Sequence, residues 1–327
     1  MNSKNRLLAI LKAREDDWIS GESLGHEMDM TRSAVWKHIH ALREEGYLIE
    51  SSRRRGYFLK DVPETLLQGE IQEGLNTEII GKRGIFHHHL TDSTNIRAKS
   101  LADEGAEEGT VIIAEEQEQG RGRRGRRWFS PEGKGIYVSI ILRPRLAPSE
   151  SPKLTLMAAV AVADALISLT SLDIRIKWPN DIIVHGRKLA GILTEVSAEM
   201  DDVKYVIIGL GINVNIPNDL FPSDIGDTAS SIILETGRKF PRIRILRAYL
   251  EWFEKYYALV RTSGFGPVLK RWKDLSDIIG RTVRIDLVHQ SYTGEVLDVD
   301  ENGVLVLEDS AGTLHRIFSG DVQILDT

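Results

Sequence analysis

Residues 115–128 read Glu115-Glu116-Gln117-Glu118-Gln119-Gly120-Arg121-Gly122-Arg123-Arg124-Gly125-Arg126-Arg127-Trp128. Five guanidiniums fall within the seven positions 121–127, separated by glycines. So much like charge cannot be buried without anionic partners. The glycines let backbone N–H groups approach a ligand closely. Guanidinium forks match phosphate oxygens two at a time, so the fitting ligand is a phosphate chain. A solvated basic loop is the bland alternative, since charge runs are usually soluble surface. Gly120-Arg-Gly-Arg-Arg-Gly125 also formally fits the dinucleotide pattern G-x-G-x-x-G, which requires a helix directly behind it. Trp128-Phe-Ser-Pro131 follows instead, with Gly133 and Gly135 close by, which argues against that helix.

Working outward, Gly109–Glu116 reads as a strand that delivers Gln117 and the arginine loop, and Gly135–Leu142 reads as another. Upstream, Ile85-Phe-His-His-His-Leu90 is a predicted strand. Its three histidines alternate faces and so cannot all ligate one metal ion. Asp92-Ser93-Thr94-Asn95 follows, reading as the N-cap of a helix over about 96–104. Hydroxyls and an amide beside a positive helix terminus suit a polar head group. Downstream, Leu154–Leu169 is an Ala-rich helix with one buried face. Residues 174–184 are strand-like around Lys177-Trp178-Pro179-Asn180-Asp181, with Pro179 marking a break or bulge before Asp181 re-enters the strand. A lysine in an apolar strand is costly unless it faces a partner, and a fixed ammonium suits a carboxylate or an α-phosphate; a snorkelling edge lysine is the bland alternative. Strands over 187–196 and 203–215 are expected to pair antiparallel. Gly191, Gly209 and Gly211 would leave bare sheet where a flat ligand could lie. An irregular loop over 217–229 and helices over 243–260 and 266–275 complete this part.

Composition sets the frame. The 327 residues suffice for two or three domains, and an apolar fraction of 42% supplies ample core. The net charge of −6 splits unevenly: residues 1–60 carry +2 and the rest −8. The absence of cysteine excludes disulfides, thiolate catalysis and thiolate zinc sites. No apolar run is expected to span a membrane. The apolar stretch at the N-terminus is too short for a signal peptide, so a soluble cytoplasmic protein without membrane contact is the default expectation.

The basic head has its own logic. Helices over 4–13 (broken at Asp16–Ser20), 21–28 and 31–45 are predicted, the last capped by Thr31 and stopped by Gly46. Arg32, Ser33, Trp36, Lys37, His38 and His40 stud that last helix, as in a helix-turn-helix. A hairpin over 47–59 follows, tipped by Arg53-Arg54-Arg55-Gly56. This is the layout of a winged helix with a basic tip for DNA phosphates. A small helical cap with a solvated face is the alternative. Residues 61–83 read as a linker with a helical segment. At the far end, 281–287, 292–299, 303–308 and 313–318 are short alternating strands with turns at 300–303 and 309–312, sized for a small SH3-like barrel. The expected division is 1–62, 63–278 and 279–327.

Asp92-Ser-Thr-Asn95, Gln117 with Gly120–Gly125 and Trp128, Lys177-Trp-Pro-Asn-Asp181, Lys188-Leu-Ala-Gly-Ile192 and Gly209-Leu-Gly-Ile-Asn213 occur in the order found in biotin protein ligases. With the winged helix in front, the chain resembles the bifunctional bacterial type, a biotin operon repressor that is also biotin–[acetyl-CoA-carboxylase] ligase. The resemblance covers the whole chain and implies an α+β fold whose central mixed or antiparallel sheet is similar to that of class II aminoacyl-tRNA synthetases. It implies adenylation of biotin by ATP, then transfer to a lysine of the biotin carboxyl carrier protein. By similarity, Ser93, Thr94, Asn95 and Gln117 hold biotin's ureido head. Arg121, Gly122 and Arg123 fold over the ligand, and Arg121 and Arg123 meet carboxylate and phosphate. Lys177 is the main electrostatic catalyst. Trp128 covers adenine or braces the loop, while Asn180 and Asn213 lie toward metal and phosphates. No acidic metal box is present, which suits Mg²⁺ carried by ATP and water. Thr31, Arg32, Ser33, Trp36, Lys37, His40, Arg53, Arg54 and Arg55 are the DNA-contact candidates. The resemblance also implies a homodimer that forms with the adenylate and binds operator DNA. A winged-helix sensor without enzymatic activity and a lipoate ligase on a related fold are the rival readings.

Overall fold

The computed structural model describes residues 3–14, 17–199, 202–287 and 289–325. The break expected at Asp16 lies outside them. The chain forms two compact units, Met1–Thr65 and Leu66–Thr327.

The first unit holds α1 (Ser3–Ala13), α2 (Gly21–Met28), α3 (Arg32–Glu44) and a hairpin of β1 (Leu48–Ser52) and β2 (Gly56–Asp61). Leu7, Leu11, Leu24, Met28, Val35, Ile39 and Leu42 form its core, each from the apolar stripe of its helix. The turn between α2 and α3 is tight for local reasons. Asp29 adopts φ 53°, and a Cβ on Gly25 would come within 2.7 Å of the Met30 carbonyl oxygen. Thr31 caps α3 by accepting from the Ala34 amide at 3.3 Å. This is a winged helix in outline, as expected.

The second unit opens with α4 (Gln68–Glu73), β3 (Ile85–Thr91), α5 (Thr94–Asp103), β4 (Val111–Gln117) and β5 (Gly135–Leu142). Next come α6 (Ser151–Leu169), β6 (Arg175–Lys177), β7 (Asp181–Val184), β8 (Arg187–Glu199) and β9 (Asp202–Asn213). Three helices follow: α7 (Ile232–Thr236), α8 (Arg242–Ser263) and α9 (Gly266–Leu275). The last strands are β10 (Thr282–Asp286), β11 (Ser291–Val299), β12 (Leu305–Asp309), β13 (Leu314–Ile317) and β14 (Asp321–Ile324).

Strands β3 to β9 make one mixed sheet ordered β3-β4-β5-β9-β8-β7-β6, with β3–β4 parallel and the other pairs antiparallel. Helix α5 packs on one face, and α6 and α8 on the other. Central strand β5 is buried at every position, which is why its sequence runs nearly continuously apolar. The remaining five strands form a separate antiparallel sheet, β13-β12-β11-β10-β14, whose core joins that of the large sheet.

Three expectations change. Helix α6 is buried almost all round rather than on one face, because it lies between the sheet and helices α8 and α9. By length and apolarity it would pass for a membrane span, contrary to the sequence reading; here it is a core helix. The Lys177–Asp181 motif does not interrupt one strand. The chain reverses there, pairing β6 with β7 in a tight hairpin around a cis Trp178–Pro179 bond. Two elements were not foreseen, α7 and β14.

Candidate active site

A cavity of about 400 Å³ opens over the large sheet. Ser93, Thr94, Asn95, Gln117, Arg121, Gly122, Arg123, Trp128, Lys177, Asn180 and Asn213 all line it. The sheet register brings these scattered motifs to one place.

The floor is a chain of hydrogen bonds among amides and hydroxyls, ended by the carboxylates of Asp92 and Glu195. The turn before α5 is closed by Asp92, whose Oδ1 accepts from the Ser93 amide at 2.7 Å and from the Thr91 hydroxyl at 2.9 Å. Ser93 occupies the cap position without making the expected side-chain bond. The first helical amide, that of Thr94, donates instead to Gln117 Oε1 at 2.8 Å. Gln117 Nε2 donates to Ser130 Oγ at 2.9 Å. Ser139 Oγ lies 2.8 Å from Thr94 Oγ1 and 2.7 Å from Asn95 Oδ1. Asn95 Nδ2 donates to Glu195 Oε2 at 2.7 Å. Ser93, Thr94 and Asn95 are each buried. Such a row of fixed donors and acceptors orients a small polar head group.

The glycines of the sheet line the cavity, as expected, and part of the space they leave is taken by the protein's own side chains. A Cβ on Gly209 would sit 2.0 Å from Asn95 Oδ1. One on Gly211 would sit 2.3 Å from the Trp128 indole, and one on Gly191, its register partner, 3.0 Å from it. Trp128 thus lies flat on the Gly191–Gly211 rung. Its Nε1 is buried and has no hydrogen-bond partner within the protein.

The roof is the arginine loop. It carries a short 3₁₀ turn at 123–125, and no α-helix opens behind it. Gly122 N donates to Arg126 O at 2.7 Å, closing the loop on itself. Arg121 reaches Glu195 at 3.3 Å. Arg123 donates to Asn180 Oδ1 at 3.0 Å, and Asn180 in turn donates to the Ile192 carbonyl at 2.8 Å. Burial lowers the pKa of the Arg123 guanidinium from its ordinary value, opposed by attraction to Asp181 and Asp321. Asn213 is tied to the Ser230 carbonyl at 2.9 Å.

Lys177 ends β6 on the cavity wall, half-buried. A second lysine, to which the sequence reading gave no role, faces the same space. Lys188 Nζ lies 2.7 Å from Asp181 Oδ1 and 5.4 Å from the Trp128 ring centroid. Ser139, Glu195 and Asp321 were also missed. Each stands alone in sequence and gains meaning only through strand register. Among the described residues no group of three or more His, Asp or Glu side chains is placed to hold a metal. His87 and His89 face Glu115 at 3.3 Å and Glu132 at 3.4 Å instead.

Beneath the floor, Glu115 is buried against Arg242 at 2.7 Å. It also accepts from the Leu66 amide at 2.7 Å. Burial alone would raise its carboxyl; the His87 contact, the Arg242 charge and the Leu66 amide outweigh that and hold it below the ordinary glutamate range.

In the first unit Thr31, Arg32, Ser33, Trp36, Lys37 and His40 are all exposed along one side of α3 or at its cap. Arg53, Arg54 and Arg55 form the exposed hairpin tip. Arg32 is paired with Glu22 at 2.9 Å, and Arg55 lies 4.2 Å over the Trp18 ring.

A helix-turn-helix unit followed by a polar cavity under a guanidinium roof defines a class of protein that couples a DNA-binding type of module to a ligase type of site. Comparison with known proteins agrees. Residues 4–58 match the HTH domain, 88–213 the Biotin/lipoate A/B protein ligase family, and 278–325 the Biotin protein ligase C terminal domain. The bifunctional ligase/repressor BirA of Bacillus subtilis is 41% identical over 97% of both chains. That of Escherichia coli is 32% identical over 98% of this chain and 96% of its own. A solved structure of biotin protein ligase from Aquifex aeolicus in complex with biotin and ATP is 28% identical, with a TM-score of 0.64, covering 74% of this chain and 99% of that one. The chain belongs to the family of bifunctional biotin ligase/repressors.

Proposed function

We propose that this protein joins biotin to a lysine of a biotin carboxyl carrier protein in two steps and represses biotin genes when loaded with the intermediate. What supports the reading above all is the union of a hydrogen-bonded, orienting floor with a cationic roof over one cavity. In the first step a biotin carboxylate oxygen attacks the α-phosphorus of ATP, and pyrophosphate leaves. In the second the carrier's lysine amine attacks the acyl carbon, loses a proton, and AMP leaves. Adenylation is needed because a carboxylate is a poor acyl donor to an amine.

Ser93, Thr94, Asn95 and Gln117 hold the ureido head. Arg121, Gly122 and Arg123 close over carboxylate and phosphate, with Trp128 on the adenine side and Asn180 and Asn213 toward the phosphates. Lys177 stabilises charge on the carboxylate and α-phosphate. Lys188, set beside Trp128 and Asp181, shares that role. The cavity's side-chain oxygens suit a Mg²⁺ ion that arrives on the triphosphate rather than one held in a protein cage. The large sheet carries this chemistry in a class II synthetase-like core, within 63–278, and 279–327 close as an SH3-like barrel. Residues 1–62 bind operator DNA through α3 and the hairpin tip. Ordering of the arginine loop by the adenylate favours the homodimer that reads the operator; sedimentation with an unchanged mass after adding biotin and ATP would count against this coupling.

The test is exchange of labelled pyrophosphate into ATP by the purified protein. Exchange that requires biotin, with none for lipoate, is expected, and it falls about 10²-fold in Lys177→Ala and in Lys188→Ala. No exchange with either acid would overturn the ligase reading, and full activity in both variants would remove the lysines from it.

A further inference from the structure

We propose that Glu235 is a positioning residue for the reaction: from α7 it clamps the turn between β7 and β8 to the end of the 217–229 loop, and so fixes where Lys188 stands on the cavity wall. This rests on the ligase reading above, in which Lys188 stabilises charge on the carboxylate and α-phosphate. Glu235 is not among the residues that line the cavity. Its side chain is only 4% exposed, yet it accepts from three groups. Oε2 accepts from His185 Nδ1 at 2.9 Å, and Oε1 from Arg187 Nη2 at 2.6 Å and from the Ser230 hydroxyl. A carboxylate so far from water is stable only with such partners, so it holds the segments that bring them.

Those segments lead directly to Lys188. The turn between β7 and β8 is the pair His185-Gly186, with φ 49° and 73°. Two left-handed residues suit a two-residue hairpin, but only the second is a glycine, and a histidine holds that backbone where its surroundings fix it. The ladder then slips by one residue. Ile183 faces Lys188 and Ile182 faces Ala190, which leaves Leu189 as the extra residue of a bulge. A bulge re-aims the side chains beside it. Both backbone groups of Lys188 are bonded to the end of the loop: its amide donates to the Thr228 carbonyl at 2.8 Å, and its carbonyl accepts from the Ser230 amide at 2.9 Å. Gly186, Lys188, Thr228 and Ala229 all line the cavity. Glu235 thus ties together, from outside, two stretches that make one wall. Without its carboxylate the turn relaxes and Lys188 loses its set position beside Asp181, while the floor that takes the head group is untouched. Reaction rates are sensitive to such small displacements, so the loss of Glu235 lowers kcat and spares biotin binding.

The experiment uses full-length protein carrying Glu235→Gln, Arg187→Ala, Lys188→Ala, or Glu235→Gln together with Lys188→Ala. Hydrogen exchange at the Lys188 and Ser230 amides is measured without ligand, biotin affinity by calorimetry without ATP, and kcat by exchange of labelled pyrophosphate into ATP. In Glu235→Gln, amide exchange about tenfold faster and kcat about tenfold lower are expected, the scale of a lost hydrogen bond to a buried charge, with biotin affinity unchanged. Arg187→Ala, which cuts the clamp from the strand side, should move both in the same direction, so the claim does not depend on one variant folding. Because Glu235 acts through Lys188, adding Glu235→Gln to Lys188→Ala should lower kcat no further; additive losses would overturn the proposal. So would amide exchange or kcat unchanged in both Glu235→Gln and Arg187→Ala. Biotin affinity that falls as far as kcat would overturn it too, since the change would then loosen the whole site. Wild-type protein that shows no pyrophosphate exchange would count against the ligase reading instead, and the amide measurement would still decide the clamp.

Discussion

The floor and the roof of the cavity are built from opposite materials. The floor is built mainly of amides and hydroxyls, buried at Ser93, Thr94 and Asn95, and each group is fixed by a neighbour from a different element: Thr94 by Gln117, Asn95 by Ser139 and by the Glu195 carboxylate that also pairs with Arg121 of the roof. The roof is charged and partly exposed, held by ion pairs and backbone bonds that can be exchanged for contacts to a phosphate. Partly exposed ion pairs contribute little each, about 0–1 kcal/mol, whereas a buried polar group left unpaired costs about 1–3 kcal/mol. On the proposed function this difference divides the work: the floor is to select which molecule sits in the cavity, and the roof to set how long it stays.

The largest effect is expected below the floor. Glu115→Ala leaves Arg242 buried without its carboxylate and should destabilise the second unit by about 3–5 kcal/mol, read by thermal or denaturant unfolding. A loss under about 1 kcal/mol would show that the floor does not depend on this pair. The same pair predicts a pH dependence. A carboxyl held below its unfolded value contributes stability that is present above the ordinary glutamate pKa, about 4.3. That contribution is lost as pH falls through the lower folded value. Glu115→Gln should flatten that acid limb of the melting curve, and an unchanged limb would transfer the acid sensitivity to other groups.

Next is the floor itself. In Gly209→Ala the new Cβ must displace Asn95, which strands the bonds to Ser139 and Glu195. Biotin affinity should fall by about 10²-fold, the cost of one or two unpaired buried groups, with the fold retained. Titration calorimetry without ATP reads this directly, and near-normal affinity would mean that biotin's head does not lie against Asn95.

The two regions also differ in how far the sequence disclosed them. The roof was legible because guanidiniums spaced by glycine leave few chemical uses. The winged helix was legible from its caps and spacing: α2 matched the expected 21–28, and Gly46 has the expected positive φ. The floor was legible only in part. Ser93, Thr94, Asn95 and Gln117 were identified by motif, but Ser139 and Glu195 are isolated polar residues whose partners are fixed by strand register. The glycines were read as cavity surface, and they are, but a sequence does not say that Asn95 and Trp128 take part of the space above them. Pro179 marked a break correctly, yet whether a chain bulges or reverses there depends on pairing between β6 and β7. Strand β14 went unseen because four residues, even behind the Ser319-Gly320 turn signal, carry too little pattern, and with it went Asp321.

The smallest effect is the most telling. Arg123 ties the roof to the large sheet through Asn180, which donates to the Ile192 carbonyl, so Arg123→Ala should leave the fold and the melting temperature unchanged but release preformed biotinyl-5′-AMP about tenfold faster, the scale of one lost charge-assisted hydrogen bond. The direct measurement is the dissociation rate of the adenylate from wild-type and Arg123→Ala protein after a single turnover in the absence of acceptor. Faster escape from an intact variant is the result the floor-and-roof account predicts; identical rates would contradict it.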